Sequence, residues 1–293
     1  AAMPVAKSRE VIAKPRNRQG YLRSDRASRR TSTVYSKLTG APYRSAIVVD
    51  ARTGRILYED HPDAYAYPAS VTKMMTMLIV LEQVDKGLVR LDEKVEITRE
   101  AMGVGGSQAY LDVRESGLYS VDDLLKALTI HSANDAARVL GIHVAGSKAA
   151  FVDMMNQKAR ELGMSSTIYH SEHGLPPSDG SQPDISTAYD IALLSMAALR
   201  HPETLPYTGT KLDYLPPSPL RKERFMLANR NVLVGKAPYA GCDGLKTGYH
   251  SKGGWSLAAT AERNGQRVVA VLLGSPDKNT RNDTARKLLD KGF

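Results

Sequence analysis

The chain has one cysteine, Cys242, among 293 residues, which excludes an intrachain disulfide and any cysteine-rich zinc site. Aromatic residues make up only 6%, and no apolar run approaches the roughly 18 residues that a membrane-spanning helix needs. The strand–helix–strand alternation of a doubly wound nucleotide fold is missing, and so are internal repeats. Disorder along the whole chain is excluded as well, because 42% of the residues are hydrophobic.

Charge is unevenly spread. Residues 1–40 hold ten Lys and Arg side chains against Glu10 and Asp25, so this segment carries +8 of the chain's formal +9. A body near neutrality argues against a basic groove for nucleic acid. The segment shows neither helical nor alternating periodicity and reads as a flexible spacer; an arm for anionic polymer or lipid headgroups is the alternative. The chain therefore divides into a basic flexible segment, 1–40, and a folded domain, 41–293. No signal peptide is visible at Ala1-Ala2, which points to a processed or trimmed form.

The folded part opens and closes on β-hairpin signals. Ser45 to Asp50 and Gly54 to Glu59 flank a turn in which Gly54 is free to take a positive φ. Trp255 to Ala261 and Arg267 to Leu273 flank Asn264-Gly265, a strong two-residue hairpin signal. Helical patterns lie between: Val121 to Leu128, Asn134 to Val144, Ala149 to Leu162 and Ser186 to Leu199, with a last helix over Thr284 to Leu289. The Pro-rich run Leu215 to Pro219 is a loop. The expected class is α+β: one antiparallel sheet built from both chain ends, flanked by helices, with a helical lobe against it.

Pro68-Ala-Ser-Val-Thr-Lys73 leads into an apolar helical stretch, Met74 to Leu81. Serine and lysine three apart on a helix share a face, which puts an amine beside a hydroxyl. An amine that takes a serine proton must be neutral, and at a pKa of about 10.4 only about one in 2,500 is neutral at pH 7. Burial and neighbouring positive charge lower that pKa. The spacing alone is weak, since Ser70 is equally readable as a helix N-cap. Ser275-Pro-Asp-Lys278 repeats the pattern before a polar, exposed helix start, with Ser275 as N-cap and Pro276 at the first helical position. Two further elements add weight. Ser132-Ala-Asn134 lies in a turn between apolar segments, and Lys246-Thr-Gly248 lies on a strand facing the site. Ser-x-x-Lys, Ser-x-Asn and Lys-Thr-Gly, in that order, are the signature of penicillin-binding proteins and class A β-lactamases.

From about Tyr43 to Phe293 the chain resembles the serine D-Ala-D-Ala carboxypeptidases, the low-molecular-weight penicillin-binding proteins of the peptidase S11 family. The likeness also rests on Leu128 to Ala136, Asn229 to Asn231, Gly241 to Gly254 and Ala285 to Phe293. The resemblance implies a β-lactamase/DD-peptidase-like fold and release of the terminal D-alanine from peptidoglycan stem peptides through an acyl-enzyme on Ser70. Lys73 would accept the serine proton, and Ser132 would pass a proton toward the leaving group. Asn134 would hold the substrate amide and help orient Lys73, and Lys246 would supply positive potential. Substrate contacts would come from Thr247, Gly248, Tyr249 and Arg230, with backbone N–H groups of Ser70 and Tyr249 as oxyanion hole. β-Lactams would acylate the same serine. The resemblance implies no cofactor, no metal and an extracytoplasmic location.

Arg230 has an ordinary alternative, an ion pair with Asp190 or Asp243. Relatives often hold histidine at the Tyr249 position, and many carry a further β-rich domain with an anchor, so membrane attachment stays open. A DD-endopeptidase uses the same machinery. A β-lactamase needs a deacylating glutamate, and Glu161 lacks the context and reads as an exposed helical residue. A silent wall-binding protein would not need this set of residues intact. His170-Ser-Glu-His173 reads as a polar loop without a third metal ligand, and His131 as structural and not part of a Ser-His-Asp triad. Removing residues 1–40 is expected to leave turnover of a short soluble peptide unchanged; inactivation would contradict the division at residue 40.

Overall fold

A computed structural model describes residues 42–175 and 182–293; the basic segment 1–40 lies outside them. Strands β1 (Ser45–Asp50), β2 (Ile56–Asp60), β5 (Cys242–His250), β6 (Gly254–Arg263) and β7 (Gln266–Ser275) form one antiparallel sheet in the order β2-β1-β7-β6-β5. Both chain ends therefore meet in its centre, as the hairpin signals imply. Gly54 takes φ 71°, and Asn264 and Gly265 take φ 51° and 75°, the two left-handed positions of a tight hairpin.

Seven α-helices are found among the described residues: α1 (Lys73–Asp85), α2 (Val121–Lys126), α3 (Asn134–Ala145), α4 (Lys148–Glu161), α5 (Ala188–Ala198), α6 (Thr204–Thr208) and α7 (Lys278–Gly292). One sheet face packs Val48, Ala270 and Leu272 against Ala285, Leu288 and Leu289 of α7. The other packs Ile47, Val269 and Val271 against Met74, Met75 and Leu78 of α1 and Ile191 and Leu194 of α5. A separate core joins Met77, Val80 and Leu81 of α1 to Leu124, Leu125, Val139 and Leu140 of the helical lobe. Helix α1 thus belongs to both cores, and every residue from Lys73 to Leu81 is buried. That explains its apolar run from Met74 to Leu81, interrupted only by Thr76, whose hydroxyl donates to the Glu172 carbonyl. Each large side chain so buried contributes about 1.5–3 kcal/mol, which fixes the helix carrying Lys73 more firmly than any cap.

Three expectations need correction. The helix expected over Val121 to Leu128 gives way after Lys126 to a wider π turn, Ala127–His131, which ends at Ser132 in the left-handed region. The last helix begins at Lys278, six residues before the expected start, and its N-cap is Asp277, whose carboxylate accepts from the N–H groups of Asn279 and Thr280. Ser275 ends β7 and is buried, with its hydroxyl donating to the Pro42 carbonyl, and Arg281 is buried too, not exposed. A two-stranded ribbon, β3 (Leu212–Leu215) and β4 (Phe225–Ala228), was not anticipated; the Pro-rich run follows β3, with Leu215 as its last strand residue.

After α4, His173 and Gly174 pack against the turn that carries Ser70. Gly174 sits there at φ +81°, where a Cβ would lie 1.9 Å from the Ala69 carbonyl oxygen. Gly174→Ala is expected to lower stability by about 2–6 kcal/mol, the sum of left-handed strain and overpacking. Urea unfolding checks this; a change below about 0.5 kcal/mol, as at an ordinary surface position, would contradict the close packing.

Candidate active site

Ser70 lies in a 3₁₀ turn, Ala69–Thr72, at the entrance to α1. It does not cap the helix: neither end residue of that entrance makes a side-chain cap bond, and Ser70 Oγ accepts a hydrogen bond from Lys73 Nζ at 2.9 Å. The residue before it, Ala69, has φ 51°, a conformation that costs a non-glycine residue about 1–3 kcal/mol. Two glycines hold it there. Gly174 presses from the α4–α5 connection. At Gly248 a Cβ would meet the Pro68 carbonyl oxygen at 2.6 Å and the Ala69 Cβ at 3.2 Å. The contribution of Gly248 is thus its missing side chain, which lets edge strand β5 approach the Ser70 turn.

Lys73 has no exposed surface. Its Nζ donates to Ser70 Oγ and, at 2.8 Å, to the His173 carbonyl. Burial lowers its pKa to about 7, against the opposing pull of Glu172, Asp184 and Asp135. At neutral pH about half of the amine is then unprotonated, over a thousandfold more than for a solvated lysine.

The second serine sits on the widened end of the π turn. Ser132 has φ 65°, and its buried hydroxyl accepts from Lys246 Nζ at 2.9 Å. Lys246 reaches it from β5 and also donates to the Thr247 carbonyl at 3.2 Å. Its pKa is held well below the lysine value by burial first, then by Lys73, Arg230 and Arg281. The structure therefore contains two lysine–serine pairs, and the two ammonium groups disfavour each other's charge.

Asn134 opens α3. Its Nδ2 donates to the Gly105 carbonyl at 2.7 Å, while its Oδ1 is buried and unpartnered. That oxygen is an acceptor waiting for a donor, which suits a substrate amide N–H. Asn134 makes no hydrogen bond to Lys73; the His173 carbonyl holds the amine instead. Thr247 is buried, and its hydroxyl makes no hydrogen bond among the described residues. The Tyr249 ring is exposed and tilts against Trp255, with centroids 4.4 Å apart. Arg230 is exposed and pairs with no carboxylate among the described residues. Asp190 is taken up by Ser166 and Thr167, and Asp243 by Arg267. Arg230 instead donates to the His131 carbonyl at 3.2 Å and to Ser107 Oγ at 3.3 Å, which leaves a guanidinium charge uncompensated.

Sequence reasoning missed the support beneath these groups. Asp184 is wholly buried, accepts from Thr72 Oγ1 and from the N–H groups of His170 and Ser171, and so staples the connection to the Ser70 turn. Burial raises its pKa to about 6. The polar loop at His170 to His173 is mostly interior: Ser171, Glu172 and His173 are buried, Glu172 accepts from Arg138 Nε at 2.7 Å, and His173 Nδ1 accepts from the Leu175 N–H. Among the described residues no group of three His, Cys, Asp or Glu is placed to hold a metal ion. Glu161 is exposed and bound to Lys158 in the last turn of α4. The available signal was density of polar residues in a segment short of charge; nothing in it specified burial.

Residues 36–277 match the model of the D-alanyl-D-alanine carboxypeptidase family, peptidase S11. The chain belongs to this family. A D-alanyl-D-alanine carboxypeptidase of Bacillus subtilis, DacF, is 36% identical over 250 residues, covering 85% of this chain and 62% of that protein. The chain thus spans about six tenths of that relative's length. Penicillin-binding protein D2 from Listeria monocytogenes, solved in its ampicillin-bound form, superposes with a TM-score of 0.74 at 33% identity, covering 88% of this chain and all of that one. The D-alanyl-D-alanine endopeptidase of Escherichia coli strain K12 is 31% identical over 250 residues, covering 83% of this chain and 75% of that protein. The S11 fold accounts for the sheet of both chain ends and the lobe between them.

The lowered Lys73 pKa fixes a pH dependence. A neutral Lys73 amine can take the Ser70 proton and an ammonium cannot, so attack by Ser70 on an activated acyl donor is expected to be absent at low pH, to rise through about pH 7 and to level off above it. Stopped-flow acylation rates check this; a rate still climbing steeply past about pH 9 would show an ordinary ammonium.

Proposed function

We propose that this S11 family member is a serine-type D-Ala-D-Ala carboxypeptidase that removes the terminal D-alanine of peptidoglycan stem peptides. The observation that carries the reading is the 2.9 Å contact between Ser70 Oγ and an unexposed Lys73 amine with a pKa of about 7. Neutral Lys73 takes the hydroxyl proton as Ser70 Oγ bonds to the carbonyl carbon between the two D-alanines. The developing oxyanion is held by the N–H groups of Ser70 and Tyr249, in a site whose buried cations favour negative charge. Collapse breaks the peptide C–N bond. Lys73 returns the proton to the departing amine by way of Ser132, with Lys246 stabilising the charge on that path. Water then cleaves the ester, with Lys73 again accepting a proton.

Substrate ends in this reading are matched by an unpartnered acceptor and by a guanidinium without a counter-charge among the described residues. Asn134 Oδ1 accepts an amide N–H, and Thr247 with Arg230 receives the free C-terminal carboxylate, a fit for guanidinium. β-Lactams enter as covalent inhibitors of the same serine. The substrate puts the reaction outside the cytoplasmic membrane, at the cell wall; among the described residues no helix is long and apolar enough to cross a membrane. The basic segment of residues 1–40 serves as a spacer. The same machinery serves a DD-endopeptidase, a reading that the likeness to the Escherichia coli protein favours, and product analysis on a cross-linked dimer separates the two.

Ser70→Ala is expected to abolish both D-alanine release and covalent labelling by penicillin while the thermal transition persists. Intact-protein mass spectrometry with peptide mapping checks it. An adduct on Ser132 or Ser275, or retained release in the variant, would overturn the assignment.

A further inference from the structure

Arg230 is exposed, carries a full charge and faces no carboxylate among the described residues, yet it is held at several points. Its backbone N–H donates to the Ile130 carbonyl at 3.2 Å and its Nε to the His131 carbonyl at 3.2 Å. These are consecutive carbonyls at the end of the π turn, where the wider winding frees acceptors. The terminal Nη2 then meets Ser107 Oγ and His131 Nε2, each at 3.3 Å. A guanidinium has only donors, so His131 Nε2 must present a lone pair and the ring must be neutral. Burial and the nearby charges of Arg230 and Lys246 keep the ring neutral, lowering its pKa to about 4.

The ring itself is braced. Phe225, the first residue of ribbon strand β4, packs edge-on to His131 with centroids 5.2 Å apart. The Arg221 guanidinium lies over the Phe225 ring, 4.8 Å from its centroid, and bonds to the Ala109 carbonyl and the Tyr119 hydroxyl. The unforeseen ribbon thus connects to the guanidinium through one aromatic contact and one imidazole.

We infer that His131, with Ser107, is a positioning residue that fixes the Arg230 guanidinium as a receptor for the substrate carboxylate. This rests on the carboxypeptidase reading for the identity of that carboxylate. A long arginine side chain loses substantial rotamer freedom when it grips a ligand. Acceptors that carry no charge hold it in place beforehand and leave its positive charge for the incoming anion, which an aspartate in their place would cancel. His131 touches neither Ser70 nor Lys73 in the hydrogen-bond network, so its effect is on recognition and not on the chemical step.

The test compares benzylpenicillin, a free carboxylate, with its methyl ester, using second-order acylation rates of the full chain. His131→Ala is expected to lower the acid-to-ester rate ratio about fivefold, with the ester rate nearly unchanged. His131→Gln, whose amide oxygen restores an acceptor, is expected to recover the ratio to within about twofold of the original. Ser107→Ala removes one acceptor of the guanidinium without touching the imidazole and should lower the ratio in the same direction. Parallel loss for acid and ester, or a ratio unmoved in both alanine variants, would overturn the clamp. D-alanine release from a stem peptide is measured alongside. A wild-type chain that is acylated but releases no D-alanine defeats the carboxypeptidase reading, while the ratio still judges the clamp.

Discussion

An amine that has lost its water is the constraint around which the rest of the structure is arranged. Lys73 is fully enclosed because the first turns of the helix it opens are buried on every side and belong to two cores at once. Enclosure disfavours the ammonium, and Glu172, Asp184 and Asp135 restore part of what burial removes. Stronger compensation would leave a permanently charged lysine, useless as a proton acceptor. With none, the amine would be too weak a base to take a proton from serine. A pKa of about 7 lies between these limits, where proton transfer in both directions is accessible.

Geometry is supplied at the expense of the backbone. Ala69 and Ser132 both occupy the left-handed region, one beside each of the two serine hydroxyls or under it. Such conformations persist only where surrounding packing leaves no alternative. Here the packing is steric absence: Gly174 and Gly248 admit main chain against the Ser70 turn at distances no Cβ would tolerate. The Asp184 carboxylate closes the arrangement by tying Thr72 to His170 and Ser171. Lys73, Arg230 and Arg281 act on Lys246 from a distance and, after burial, disfavour its charge.

Much of this was legible in the sequence, for identifiable reasons. Strands β1, β6 and β7 and the hairpin turn at Asn264-Gly265 follow from local pattern, and the sheet of both termini follows from having such patterns only near the two ends. Ser70, Lys73, Ser132 and Lys246 are marked by motif spacing, and they meet in two lysine–serine contacts. The ribbon β3–β4 escaped notice because its strands have four residues each and are separated by a connection rich in prolines and charges. The N-cap was misplaced by two residues because Ser275 and Asp277 both carry capping chemistry; strand pairing of Ser275 with Trp255 decided between them. The burial of Glu172, His173, Asp184 and Arg281 is a property of tertiary contacts alone. A polar residue gives no local sign that a partner far along the chain will satisfy it, as Arg138 satisfies Glu172.

The protonation state of Lys73 is open to direct observation. With lysine side chains labelled at Cε, the NMR resonance assigned by its loss in Lys73→Met is followed against pH in the unacylated protein. The account predicts a midpoint near 7, several units below the other lysines outside the site. A midpoint above about 10, the value of a solvated ammonium, would contradict it and remove the physical basis for a reactive Ser70.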